Sequence, residues 1–284
     1  MQHSCEYVSI PTVTEQLFVK SVSLAVALNA EFVPPFEAPA ALYIRPLALG
    51  TGAQLNIIPP TEFKFCVFVQ PTAALLGHAS AVDVLIVEEF DRAAPRGTGS
   101  AKIGGNYAPV MRWQRQAKQE GFGLTLHLDS RTQSEIEEFS AAGFIGVKKS
   151  GAGYKLVVPD SASVIKSVTS DTCVQLANAL GWEVETRPVS PFLFLARFTL
   201  TFANCSLEVK CNELSDFNEV LAVGTAAIVV PIRSIVRKST SEVFTYDSED
   251  TGKCFKILFE MILKAQRGEE ASTSHWNLAV HAPE

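Results

Sequence analysis

The chain has 284 residues, of which 47% are hydrophobic and 19% are charged, enough to bury a sizeable core in one or two domains. A net charge of −6 without a cluster of Lys and Arg argues against a nucleic-acid partner. The first arginine is Arg45, and no basic segment precedes an apolar run at the start, so neither a mitochondrial presequence nor a secretory signal is expected. Six scattered cysteines without a C-x-x-C indicate reduced thiols rather than zinc ligands. This pattern favours a cytoplasmic location, and no metal site is expected.

The first third of the chain predicts one helix and two strands. The pattern Thr12-x-x-Glu15 is typical of a capping box at the start of an amphipathic helix. Apolar runs at 63–69 and 82–87 predict strands, and a stretch rich in Gly, Pro and Arg at 88–101 indicates a linker. The predicted division is a small N-terminal domain at 1–88, an interdomain loop at 89–101 and a large domain at 102–284.

The large domain is predicted to alternate helices and strands, which makes the fold class α/β. A helix is expected from about Asn106 to Glu120, where Gly121 ends it, and another from about Val168 to Gly181. The predicted strands are 124–128, 144–147, 156–158 and 227–232, and the last predicted helix covers about 254–266.

The segment Arg96–Tyr107 contains one lysine, Lys102, among glycines and other small residues. Glycines let the backbone and a flat ligand approach each other closely. A lysine in such a setting can lose part of its hydration and act as a nucleophilic amine toward a carbonyl cofactor. From these residues alone, a solvated lysine in a flexible loop is the alternative.

The same segment resembles the cofactor-lysine motif of the branched-chain amino acid aminotransferases, which are fold-type IV pyridoxal phosphate enzymes, and in particular a fungal subgroup of them. Further blocks that resemble this family in order and approximate spacing are Leu42–Pro46, Asp91–Gly99, Glu138–Ser140, Val168-Thr169 and Gly224–Ala226. The resemblance implies a two-domain α/β fold that holds pyridoxal 5'-phosphate between its domains, in a homodimer.

The resemblance also implies roles for individual residues. Lys102 would bind the cofactor covalently and carry protons, Glu138 would pair with the pyridine nitrogen, and Tyr107 would meet the phenolic oxygen. The phosphate would lie against Val168, Thr169 and Thr225. The substrate would lie against Tyr43, Arg45, Thr225 and Ala226, where Arg45 recognises the distal carboxylate of glutamate or 2-oxoglutarate.

Several of these residues have an ordinary structural alternative. Glu135, Glu137 and Glu138 together fit a solvated acidic face, and only the register of the resembling motif selects Glu138. Val168 and Thr169 fit plain capping of a helix N-terminus equally well. Tyr107 fits a half-buried tyrosine on a helix.

The sequence departs from the family pattern in three places. Gly143 stands where the family usually has an asparagine, so weaker bracing of Glu138 is expected. The family's first strands, with the arginine that clamps the phosphate, are expected to be missing, which predicts weak cofactor binding. The apolar stretch at about 190–208 resembles an insertion, which we interpret as translated intron sequence; it is too short for a membrane helix, which needs about 20 apolar residues.

The function that the resemblance implies is amino-group transfer between Leu, Ile or Val and 2-oxoglutarate. Two alternatives stay open: a transaminase for an unusual hydrophobic amino acid in fungal secondary metabolism, and a catalytically impaired member of the family. The expected partners are small-molecule amino acids and 2-oxo acids, with no nucleic acid and no membrane. Redox regulation is not expected, because no C-x-x-C follows Ala226.

Overall fold

A computed structural model describes residues 1–72, 80–189, 208–246 and 252–281. The chain forms two compact units, one from residues 1–78 with 264–284 and the other from 79–263. The suspected insertion falls almost entirely on 190–207, outside the described residues. Within the described ranges, no helix is both long enough and apolar enough to cross a membrane.

In the described part of the chain, the first unit contains two α-helices near its start, two short 3-10 helices (Ala30–Phe32 and Ala271–Trp276) and a two-stranded sheet. The α-helices are α1 (Gln2–Tyr7) and α2 (Glu15–Ala27), and the antiparallel strands are β1 (Ala41–Gly50) and β2 (Phe63–Thr72). The predicted capping box at Thr12 is wrong. The N-cap is Thr14, whose hydroxyl accepts a hydrogen bond from the Leu17 N–H at 3.3 Å, so Glu15 is already the first helical residue.

The second unit is built on one sheet, which has nine strands among the described residues. The strands are β3 (Val82–Val87), β4 (Leu124–Leu128), β5 (Ile136–Phe139), β6 (Gly143–Ser150), β7 (Gly153–Ser161), β8 (Glu183–Val189), β9 (Glu219–Gly224), β10 (Ile228–Arg237) and β11 (Glu242–Thr245). Six of them form a closed ring of pairings in the order β3-β4-β5-β6-β9-β10, because β9 pairs with both β6 and β10. Ring closure leaves these six strands without a free edge.

The ring encloses the main hydrophobic core. Alternate residues of its strands point to this core, among them Val84, Leu126, Phe139, Phe144 and Ile232, each at most 2% exposed. Side chains of alternating strand residues fall on opposite faces, so this packing fixes which residues face the other side. The mixed α/β class predicted from the sequence is confirmed.

Three helices surround the sheet: α3 (Gly104–Gln119), α4 (Val168–Ala179) and α5 (Lys253–Gln266). α3 begins two residues before the predicted Asn106. As predicted, Gly121 and Gly181 follow helix ends, and both adopt the left-handed backbone region, with φ of +96° and +72°.

The structure corrects the strand predictions at several points. β5, β8, β9 and β11 were not predicted, and each contains a glutamate that breaks the apolar pattern. β10 starts at Ile228 rather than Ala227 and continues five residues beyond the predicted end at Ile232. β3, which the sequence division assigned to 1–88, pairs with β4 and β10 in the second unit. The domain division at 1–88, 89–101 and 102–284 stays a prediction.

Candidate active site

Lys102 lies in the loop that precedes α3, and its side chain is exposed. Its Nζ atom is 2.8 Å from the Tyr107 hydroxyl and 5.0 Å from the centre of the Tyr107 ring. Tyr107 is in the first turn of α3 and is half-buried. The structure therefore brings together two of the predicted site residues as a lysine amine and a phenol in hydrogen-bond contact.

Asn106 holds the loop that carries Lys102. Its Nδ2 donates to the carbonyls of Thr98 and Ala101 at 2.6 and 2.7 Å, and its Oδ1 accepts from the Thr98 hydroxyl at 2.8 Å. Asn106 is buried, so these bonds satisfy groups that water does not reach. This role of Asn106 was not predicted from the sequence, although an asparagine at the start of a helix beside two glycines signals a side chain that bonds to nearby backbone.

We expect Asn106→Ala to destabilise the second unit by about 1–3 kcal/mol, because it removes the three hydrogen bonds that the buried Asn106 side chain makes to the loop. Urea denaturation of the variant measures this loss. Asn178→Ala is the matched control: Asn178 is exposed on α4, so little or no loss is expected there. Equal stability of wild type and Asn106→Ala would contradict the bracing role.

Glu138 lies beside a β-bulge in β5. His127 of β4 is opposite Glu138, whereas the next residue, Leu128, is opposite Ile136, so Glu137 is an extra residue in the strand. Glu137 and Glu138 are 3% and 5% exposed. The alternative of a solvated acidic face is therefore wrong for both glutamates.

Arg92 is the ion-pair partner of Glu138. One guanidinium nitrogen lies 2.6 Å from Glu138 Oε1, and both side chains are buried. The same nitrogen donates to the carbonyl of Ser163. Burial raises the pKa of Glu138 to about 7, although Arg92, the Ile165 backbone N–H and the charge of Lys102 all lower it. Arg92 and Ile165 thus brace the carboxylate, contrary to the weak bracing expected from Gly143.

Gly143 marks the point where three backbone segments meet. A Cβ atom at this position would lie 2.8 Å from the Ser170 hydroxyl and 3.5 Å from the Val223 side chain. An asparagine here would therefore require Ser170 to move. A Cβ atom at Gly224, next to Val223, would lie 3.6 Å from the Ala141 carbonyl oxygen. The start of α4, the turn after β5 and the turn after β9 are consequently neighbours.

The predicted phosphate residues lie on two of these segments. Val168, 80% exposed, is the first residue of α4, and Thr169 is the second. The first N–H groups of a helix have no carbonyl partner within it, and the helix dipole favours an anion there.

Thr225 and Ala226 are exposed in the turn between β9 and β10. Ile228, which ends this turn, has φ of +59° although it is β-branched and buried. Such a backbone conformation costs about 1–3 kcal/mol and persists only where the surroundings impose it. The strain indicates that the packing around the turn holds Thr225 and Ala226 in one conformation.

Tyr43 and Arg45 lie on β1 of the first unit. They are two residues apart on one strand and therefore share a face of the sheet. The Arg45 guanidinium lies 4.8 Å from the centre of the Tyr43 ring. These two predicted substrate residues belong to the first unit, whereas the cofactor residues described above belong to the second.

The family model of amino-transferase class IV matches residues 1–235. The chain belongs to this family. Aminotransferase poxL of Penicillium oxalicum is 53% identical to it over 285 residues, which cover 100% of this chain and 72% of that protein. Aminotransferase atnJ of Emericella nidulans is 47% identical, with 97% and 75% covered. The branched-chain amino acid aminotransferase gloG of Glarea lozoyensis is 42% identical, with 97% and 73% covered.

Solved structures confirm the fold-type IV architecture. The branched-chain amino acid aminotransferase from Thermobaculum terrenum, in its PLP-form, superposes with a TM-score of 0.74 at 21% identity, covering 98% of this chain and 79% of that one. The branched-chain amino acid aminotransferase from Escherichia coli gives a TM-score of 0.64 at 20% identity, with 92% and 73% covered. At this level of identity the likeness establishes the fold.

Proposed function

We propose that this aminotransferase binds pyridoxal 5'-phosphate at Lys102 and exchanges amino groups between branched-chain amino acids (Leu, Ile, Val) and 2-oxoglutarate, as a cytoplasmic homodimer. The observation that carries the cofactor assignment is the combination within one unit of the exposed Lys102 amine, its Tyr107 contact and the buried Glu138 carboxylate. The family membership and the relative named as a branched-chain amino acid aminotransferase support the reaction.

The described residues fit each part of this cofactor. A primary amine suits its aldehyde, and Glu138, close enough to Lys102 for their charges to interact, suits a protonated pyridine nitrogen. The N–H groups at the start of α4 and the hydroxyls of Thr169 and Thr225 suit a phosphate. Gly143, where a Cβ atom would meet Ser170, keeps side-chain bulk away from the point where these segments converge.

Bound pyridoxal phosphate supplies an electron-withdrawing ring that stabilises negative charge at the substrate Cα. Glu138 would hold the protonated ring nitrogen, and Arg92 favours the ionised form of Glu138 and holds it in place. The Lys102 amine would bind the cofactor aldehyde and, when free and neutral, would be the base that takes and returns a proton at the substrate Cα. Tyr107 orients Lys102 through the contact of its hydroxyl with Nζ.

Mutation of Arg45 tests whether glutamate and 2-oxoglutarate bind as proposed. If this arginine pairs with the distal carboxylate, Arg45→Ala should raise KM for glutamate and 2-oxoglutarate by roughly 10- to 150-fold and change KM for leucine much less. Lys64→Ala, an exposed lysine on the partner strand β2, is the matched control and should leave both values unchanged. Equal losses on both substrate classes would assign Arg45 to the α-carboxylate or to the fold.

The substrate could instead be an unusual hydrophobic amino acid of fungal secondary metabolism. This alternative is favoured by the relatives at 47–53% identity, whose names give an aminotransferase without a branched-chain substrate. Turnover measured across branched-chain and non-standard hydrophobic amino acids, with 2-oxoglutarate as acceptor, separates the two.

An absorbance spectrum tests the cofactor assignment directly. Covalently bound pyridoxal phosphate gives a visible band, which should shift when glutamate or leucine is added. A band that does not respond to either amino acid would favour the catalytically impaired alternative, and absence of a band in the reconstituted protein would contradict the proposed function.

A further inference from the structure

The bulge in β5 has a second consequence besides placing Glu138. In a regular strand, consecutive side chains point to opposite faces, but the extra residue of a bulge breaks this alternation. Ile136 and Phe139, on either side of this pair, both belong to the core, so Glu137 and Glu138 lie together on the opposite face, and the positive charge of Arg92 lowers the pKa of each carboxyl group. Two buried carboxyl groups thus share the single positive charge of Arg92.

The two carboxyl groups differ in their contacts. Glu138 has the ion pair with Arg92 at 2.6 Å, and the Ile165 backbone N–H and Lys102 also stabilise its charge. By contrast, Oε2 of Glu137 is buried and has no hydrogen-bond partner in the described part of the chain. An unpartnered buried oxygen disfavours a negative charge. The negative charge is consequently more stable on Glu138, and the proton on Glu137.

Glu137 also has access to water. It lines a cavity of about 70 Å³ together with Asp129, Thr132 and Ser163, and Glu138 is absent from the lining of this cavity. A polar cavity of this size accommodates water, which can partner the unpaired oxygen and exchange protons with it.

We propose that Glu137 is a positioning residue of the active site, the proton-carrying member of a carboxyl pair: as pH rises it is the second of the two to lose its proton, so that Glu138 keeps its negative charge for Arg92 and for the cofactor nitrogen. When the pair exchanges a proton, one O–H bond breaks on Glu138 and one forms on Glu137, and nothing is oxidised or reduced. The part that concerns the cofactor nitrogen rests on the proposed function.

The electrostatic surroundings agree with this assignment. Burial raises the pKa of Glu137 to about 7, helped by Asp129 and Glu138 and opposed by Arg92 and Ser163. His127, opposite Glu138 on β4, is neutral, because burial and then Arg92 lower its pKa to about 3. Glu137 also lines a second cavity, together with Gly143, Val164 and Ser170. The charged groups farther out along the two cavities are Arg131, Glu135, Asp160, Lys166, Asp171 and Glu208.

Carboxyl-carbon NMR of the full chain, labelled with ¹³C-glutamate and titrated from pH 5 to 9, tests the proposal. We expect one resonance with a midpoint near pH 7 that disappears in Glu137→Gln. The resonance that disappears in Glu138→Gln should keep the chemical shift of a carboxylate down to at least 1 pH unit below that midpoint. Glu135→Gln is the matched control: Glu135 lines the same cavity but is associated with Glu208 and Lys210, so the transition near pH 7 should persist.

The proposal is wrong if the resonance lost in Glu138→Gln is the one with the midpoint near pH 7, or if Glu137 is ionised throughout the titration. Should Glu137→Gln fail to fold, the wild-type titration still decides, since absence of any glutamate midpoint near pH 7 also overturns the proposal. Adding pyridoxal phosphate separates this inference from the proposed function. If the cofactor does not bind, the proposed function fails, while the titration of the free chain still decides where the proton lies.

Discussion

Lys102→Ala should abolish amino transfer and the visible band of bound cofactor while leaving the fold intact. Covalent binding of an aldehyde requires a primary amine at one position, which the lysine side chain provides and alanine does not. Lys102 is exposed in the loop before α3, and replacing an exposed side chain by alanine changes the stability of a fold little. Turnover with glutamate and the absorbance spectrum measure the two losses, and circular dichroism checks the fold.

Two variants make this result specific. Lys102→Arg should fail as well, because a guanidinium stays protonated and is not nucleophilic. Lys118→Ala should be nearly neutral, since Lys118 is an exposed lysine on α3, the helix that also carries Tyr107. Retained turnover in Lys102→Ala would rule out Lys102 as the cofactor lysine.

The elements predicted from the sequence are those in which the residue pattern and the local structure agree. Val84–Val87 is apolar and buried, and the helices that precede Gly121 and Gly181 end where a left-handed backbone is needed. β5 and β9 could not be predicted in this way. Their glutamates, Glu138 and Glu219, are buried because distant residues satisfy them: Arg92 pairs with the first, and the backbone N–H groups that start α5 bind the second.

The same limit applies to the site. Lys102, Glu138 and the start of α4 could be named as candidates because they lie in short motifs, and the glutamate that the motif register selected, Glu138, is the one in the ion pair with Arg92. From the sequence, Arg92 was only one residue of the Asp91–Gly99 motif. Its ion pair with Glu138 could not be predicted, because the two residues lie far apart in the chain. No local pattern signals a β-bulge that puts the side chains of Glu137 and Glu138 on the same face of the strand, since a bulge depends on the register of two strands.

Replacing Arg92 by methionine should destabilise the protein by about 3–5 kcal/mol at pH 8.5, the cost of leaving buried carboxylates without their cation. Methionine keeps most of the side-chain volume, so the change mainly removes the charge and the hydrogen bond to the Ser163 carbonyl. Urea denaturation at several pH values measures the loss. Arg233→Met is the control, because the pair of Arg233 with Asp83 is largely exposed and should contribute at most about 1 kcal/mol.

The effect of Arg92→Met should depend on pH in one direction. Burial raises the folded-state pKa of Glu137 and Glu138 to about 7, well above the value of about 4.5 for an unperturbed glutamate. Between these two values the folded state binds more protons than the unfolded state, so wild-type stability falls as pH rises and levels off above about pH 7.

Without Arg92 both pKa values rise further, so the variant should continue to lose stability above pH 7. Its deficit relative to wild type should therefore be smallest near pH 5, where both carboxyl groups are protonated, and largest near pH 8.5. A deficit that is the same at both pH values would show that Arg92 acts by packing alone.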